Sequence, residues 1–207
     1  MDLLIGLFPT TLLGWVLQIL IGLIGSILLM SFMEYFLHGH VMHRKVFPDF
    51  IYKHAKFIET FLHNHVILHH GKYYKQFNHE PDERANVHLL ISYRTVILGL
   101  VVALPFMAVY TAYLSVVAPL IFVGIAFLHR FTWNTIHTEM HHPQYPFWSK
   151  WEIYKFLARY HYLHHNTHRK NGNVNYNVVL PIADYIMGKV GTPTEEQKLE
   201  MKKFGYL

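Results

Sequence analysis

Four stretches of the sequence crowd imidazoles together. HGHVMH carries His38, His40 and His43; FLHNHVILHH carries His63, His65, His69 and His70. IHTEMHH carries His137, His141 and His142, and YHYLHHNTH carries His161, His164, His165 and His168. Neutral imidazole binds iron, zinc, copper and nickel, so matching groups of histidines point to metal chemistry, and a redox reaction would need iron or copper. Residues three or four apart on a helix share a face. His65 with His69, His137 with His141, and His161 with His164 and His165 meet that spacing, and each set can offer two nitrogens to one cation. His38 and His43 are five apart, about 140° around an α-helix, and are expected to serve two different ions. A structural zinc site closes with four ligands. The ten or so paired histidines here match two ions with about five each. Histidines outside these groups, namely His54, His79, His88 and His129, are better read as surface or hydrogen-bonding residues.

The elements that must position these groups read as membrane helices. Of 207 residues, 52% are hydrophobic and 15% charged, against about 25% charged in soluble domains. The absence of cysteine excludes disulfides, thiolate-ligated zinc and iron–sulfur clusters. The net charge of +5 comes from basic residues flanking apolar runs, which fits anionic lipid better than nucleic acid. No charged residue lies between Leu3 and Met33, a run longer than one ~30 Å hydrocarbon crossing. It has neither a preceding basic residue nor a cleavage-type ending, so it reads as a membrane helix and not a signal peptide. Pro9 is expected to separate a short interfacial or re-entrant piece from a helix starting near Thr10, with Gly22 and Ser26 as a small-residue packing stripe. A second apolar block runs from His88 to His129. Pro105 is expected to break it into segments of roughly 88–104 and 106–128, a helical hairpin in which Arg94 snorkels to the interface.

Seven Lys or Arg lie in residues 38–87 and ten in 129–207, whereas the N-terminal segment has none. The positive-inside rule then puts both basic segments, and every histidine, on the cytoplasmic side. The expected fold is all-α: one integral-membrane domain over residues 1–207, with three to four transmembrane helices and a cytoplasmic helical cap holding a histidine-rich dimetal site.

At these residues the sequence resembles the fatty acid hydroxylase and sterol desaturase superfamily of integral-membrane di-iron enzymes. The resemblance rests on His38 and His43 in EYFLHGHVMHR, on His65, His69 and His70 in HVILHHGKYYKQF, and on His137 and His141 in WNTIHTEMHH. It also rests on His161, His164 and His165 in YHYLHHNTHRKNGNVNYNVVLPIADYIMG. It covers about residues 34–188, and the last segment is the most specific. It departs from the family pattern where Gly188 is followed by Lys189 instead of threonine. His40, His63, His142 and His168 stand as alternative ligands beside the assigned ones. The fused cytochrome domain of some family members is absent from this sequence.

The resemblance implies O2-dependent oxidation of an unactivated C–H bond of a membrane lipid, fatty acyl or sphingolipid in type, by two iron ions that zinc can replace in recombinant material. Sterol or carotenoid hydroxylation or desaturation is the near alternative. A histidine-rich divalent-metal transporter is the alternative from another class, but it should line its spans with polar groups, and these spans carry little beyond Gln18 and Arg94. No flavin, nicotinamide or haem motif appears, so electrons must come from a separate cytochrome or ferredoxin. Lys150, Lys155, Arg159, Arg169 and Lys170 form its expected basic docking surface. Glu34, Glu139, Asp184 and Asn134 are candidate partners for the outward ring nitrogens of the ligands. Trp133, Trp148, Trp151 and Tyr154 read as an aromatic belt at the membrane interface.

Overall fold

A computed structural model describes residues 8–75, 77, 85, 90–167 and 174–207. The re-entrant piece expected before Pro9, and His79, His88, His168, Arg169 and Lys170, lie outside those residues except for Phe8 and Pro9 themselves. The described residues are helical and include no strand. In order they form α1 (Leu12–Phe36), a π-helical turn (Leu37–Val41), α2 (Asp49–His54), α3 (Lys56–Leu62) and a longer π-helix (His63–Tyr73). There follow α4 (Tyr93–Tyr113), α5 (Ala118–His141), a 3-10 turn (Trp148–Lys150), α6 (Glu152–Thr167), α7 (Ile182–Ile186) and α8 (Glu195–Lys203).

The chain divides into two compact units. The first comprises residues 1–33 and 91–131. Two helices, Leu12–Val41 and Tyr93–Tyr113, are long and apolar enough to cross a membrane, and only 11% of each apolar window is buried. Their side chains face outward: Leu12, Val101, Leu104, Phe106 and Val109 are all exposed, as is Leu120 of α5. A continuous apolar exterior of this kind suits lipid and would drive aggregation in water.

Within this unit the helices meet over small residues. Ser26 is fully buried, and a Cβ on Gly22 would sit 2.8 Å from Ile121, so the expected stripe is a packing face. Gly25 extends it, because a Cβ there would overlap the Tyr110 ring. The Tyr110 hydroxyl donates to the Ile21 carbonyl at 2.6 Å.

Pro105 does not divide the second block. It lies inside α4, which runs on to Tyr113, and the chain reverses at residues 114–117 instead. In an apolar helix the lost N–H bond is tolerable, whereas a reversal must satisfy several freed backbone groups at once. Gln18 does this for one of them, its side-chain oxygen accepting the Val116 N–H at 2.9 Å, and its carbonyl also accepts the Ser115 hydroxyl at 2.8 Å. Arg94 is the second residue of α4, about one turn nearer the helix end than expected, and is exposed there. The Ser92 hydroxyl caps that end by accepting the Thr95 N–H at 3.2 Å.

The second unit comprises residues 34–90 and 132–207 and holds the grouped histidines. α6 is amphipathic, with Tyr154, Leu157, Ala158, His161 and His164 buried on one side. The C-terminal segment braces it. Arg159 donates to the Tyr206 carbonyl at 2.5 Å, and the Tyr162 hydroxyl donates to Glu200 of α8. α8 itself starts on a reciprocal Thr194–Gln197 capping box.

Candidate metal centre

Ten histidines converge in the second unit. His38, His43, His65, His70 and His164 form one group, His69, His137, His141 and His161 a second, and His165 lies in a third with His69 and His70, its Nε2 3.1 Å from that of His161. Within each group the ring nitrogens offered to a ligand lie within 4.8 Å of one another, and most of the rings are buried. These are the ten histidines named as ligands from the sequence, nine by spacing and His70 by the resemblance.

Local helix geometry explains how they converge. In the π-helical turns the backbone closes from residue i to i+5, as in Met42 N–H to Leu37 O and Tyr74 N–H to His69 O, both 2.9 Å. Residues five apart therefore come onto one face. His38 and His43 fall in the same group, as do His65 and His70, whose Nε2 atoms are 3.0 Å apart. Two expectations fail for this reason. His38 and His43 do not point to separate groups, and His65 and His69, four apart, fall in different ones. Where the helix stays α, the i,i+4 rule holds: His137 and His141 of α5 share a group, and His161 and His165 of α6 approach to 3.1 Å. His164, three residues after His161, turns to the other group.

The spacing of nitrogens tests whether a cation fits. His65 Nε2 has three neighbours, the Nε2 atoms of His38, His43 and His70, each at 3.0 Å. His161 Nε2 likewise has His137 and His141 at 2.9 Å and His165 at 3.1 Å. A ring nitrogen has one proton or one lone pair in the ring plane, so three such neighbours cannot all be hydrogen bonds. Lone pairs directed at a shared cation resolve the crowding. Two nitrogens about 2.0–2.1 Å from one ion, at right angles, stand about 2.9 Å apart, which matches the observed spacing. The buried histidine clusters could hold a metal ion.

The electrostatics favour the ligating form. Burial, with the neighbouring imidazoles adding to it, holds His65, His69, His161 and His165 well below the usual imidazole range. Burial takes His141 down to about 3 despite the opposing pull of the Phe77 carbonyl. The rings are therefore neutral, with lone pairs free, across the physiological range.

The outward nitrogens find main-chain carbonyls where side-chain carboxylates were expected. His38 Nδ1 donates to Tyr176 O, His164 Nδ1 to Val174 O at 3.1 Å, and His141 Nδ1 to Phe77 O at 2.9 Å. Glu139 is buried but serves a turn, accepting the N–H groups of Gln144 and Tyr145 at 3.0 and 2.8 Å. Glu34 and Asp184 bind the backbone that carries two of these carbonyls. Burial lifts Asp184 to about 6, against the pull of the two amides it accepts. Spacing to a histidine could not reveal this, because the acceptor is backbone far away in sequence.

Trp133 is also misread as part of a belt. It is buried between the groups, with its ring edge-on to His38 at 5.3 Å and to His137 at 5.0 Å. Tyr154 is buried too, whereas Trp151 is exposed. Among the alternative ligands, His63 is exposed and His40 packs against Tyr35, Phe36 and Tyr176, so neither joins a group. His142 and the exposed His54 also stand outside the groups. On the expected basic surface, Lys155 pairs with Glu152 at 2.8 Å and Arg159 is held by Tyr206.

No protein-family model matches the chain, and neither does a curated protein or a solved structure.

Proposed function

We propose that this chain is a membrane-bound di-iron oxygenase that hydroxylates an unactivated C–H bond of a lipid, fatty acyl or sphingolipid in type. One observation carries the reading: two imidazole nitrogens, His65 Nε2 and His161 Nε2, each ringed by three others at 2.9–3.1 Å within one buried cluster. Two ions held only by neutral nitrogen would keep their full positive charge, and bound iron would supply O2 reduction and C–H oxidation. His38, His43, His65, His70 and His164 would hold one ion, and His69, His137, His141, His161 and His165 the other. Packed around them, Trp133, Tyr74, Phe77 and Tyr176 exclude water from the ring faces.

α1 and α4 would anchor the enzyme, and the apolar first half of α5 would make a third crossing. The basic segments would then lie on the cytoplasmic side with the histidines. A lipid substrate accounts for an oxidising centre joined to an apolar unit, since its chain need not cross water. Electrons would come from an external cytochrome or ferredoxin. The transporter reading asks for polar residues along the spans, and Gln18, the polar residue within α1, is instead engaged by the 114–117 reversal.

The test compares lipid extracts of cells with and without the gene for species that have gained one oxygen atom, alongside metal analysis of the purified chain. Two metal ions per chain and a product lost in His161→Ala support the proposal. Fewer than one ion per chain at full loading would sink the metal reading. Full metal with no oxidised lipid would sink the oxygenase reading.

A further inference from the structure

Two buried carboxylates gather one short backbone segment. Glu34 accepts the N–H groups of Val178, Val179 and Leu180, the last two at 2.9 and 3.1 Å. Asp184 accepts those of Tyr176 and Asn177 at 3.1 and 2.7 Å. Asn175, in the left-handed conformation at φ 56°, ties the same segment to Tyr160 O and to the Gly191 N–H. The segment so clamped turns its carbonyls to the histidines: Tyr176 O to His38 Nδ1 and Val174 O to His164 Nδ1. Both rings belong to the His38–His43–His65–His70–His164 group, although they come from opposite ends of the sequence. The fit is close, since a Cβ on Gly39 would overlap the Tyr176 ring.

The other group is built differently. His141 Nδ1 has the Phe77 carbonyl, but the buried Nδ1 atoms of His69 and His161 meet no acceptor among the described residues. For Nε2 to face an ion, the ring proton must sit on Nδ1. An acceptor there fixes the tautomer and the ring plane before any metal arrives and makes Nε2 more basic. A ring without one keeps its tautomer and tilt unsettled, and ligation must then leave a buried N–H unsatisfied.

Taking the two-ion reading as its basis, we infer that the halves are unequal. The group containing His38 and His164 is the tight, first-filled site. Glu34 and Asp184 are positioning residues for that ion alone, acting through the 174–180 backbone. The group around His161 fills second and exchanges its ion more readily. Outer partners of this kind change metal affinity by about 10–100-fold, which sets the size of the expected difference.

The experiment uses the full chain in detergent, stripped with a chelator and titrated with zinc against a chromophoric competitor. Wild type should show two one-ion steps separated by about tenfold or more. His161→Ala should remove the weak step and spare the tight one, which identifies them. Glu34→Gln and Asp184→Asn should each weaken the tight step by about 10–100-fold and leave the weak step in place. Tyr162→Phe, which loses a contact to α8 away from the clamp, should move neither.

Two equal steps in wild type, or equal weakening of both steps in the carboxylate variants, would overturn the inference while leaving the two-ion reading intact. No zinc bound at all would overturn both. If one carboxylate variant does not fold, the other carries the comparison. If neither folds, the wild-type and His161→Ala titrations still decide whether a tight and a weak site exist.

Discussion

The two units solve opposite problems with the same secondary structure. In the first, apolar side chains point outward, and Gln18, Ser115 and Tyr110 bond to backbone groups of the facing segment. In the second, the interior is polar: His38, His69, His137, His141, His161 and Asp184 are all buried at 2% exposure or less. Burying polar groups without full compensation costs free energy. The first unit has the fewer such groups, Ser26 Oγ, Thr111 Oγ1 and Arg130 Nε being its buried polar atoms without a hydrogen-bond partner among the described residues. In the second, the central nitrogens have more neighbours than hydrogen bonds can serve. A buried cluster of this kind could hold a metal ion.

The contrast breaks most sharply at the hub histidines. His65→Ala or His161→Ala should reduce metal affinity by more than the roughly 10–100-fold of an outer-partner change and abolish oxidised-lipid formation. His54→Ala should leave both at wild-type levels, as measured by metal content and product at matched protein amount. If His54→Ala and His161→Ala behave alike, the grouping is wrong.

Acid is the next lever, and it acts on the second unit. The buried histidines are neutral in the folded protein, while in the unfolded chain they take up protons below about 6.5. Their contribution to stability is therefore complete above that pH and is lost as pH falls toward their depressed folded values. Each unit of pH in that window costs about 1.4 kcal/mol per group. Metal-stripped protein should melt at progressively lower temperature below about pH 6.5, and bound metal should oppose the loss. A melting temperature independent of pH from 7 down to about 4 in the stripped protein would contradict these depressed values.

In the first unit, effects should be smaller and independent of metal. Gly25→Val forces bulk into the Tyr110 ring and should cost about 1–3 kcal/mol, read as a lower melting temperature in detergent. Gln18→Leu removes the acceptor for Val116 N–H and should cost about 0.6–1.7 kcal/mol, the range for polar contacts between membrane helices. Neither should change metal stoichiometry. If either does, the two units are not energetically separable.

Much of this was legible in the sequence. Composition and the uncharged run from Leu3 to Met33 marked α1. Clustered imidazoles marked fourteen histidines, among them all ten that come together, because a residue type so rarely crowded stands out whatever the local geometry. The sequence also determined where small residues would let helices touch, at Gly22 and Ser26.

The tertiary structure decided the partition. An i,i+4 rule presumes an α-helix, whereas Leu37–Val41 and His63–Tyr73 are π-helical and bring residues five apart together. The reversal at 114–117 in place of Pro105 depends on Gln18, about a hundred positions away. Trp133 and the carbonyls of Val174 and Tyr176 become neighbours of the histidines only when distant segments meet. Which atoms could share a cation was fixed by side-chain type, but which of them share the same one was fixed by long-range contact, because direction and distance are properties of the folded chain.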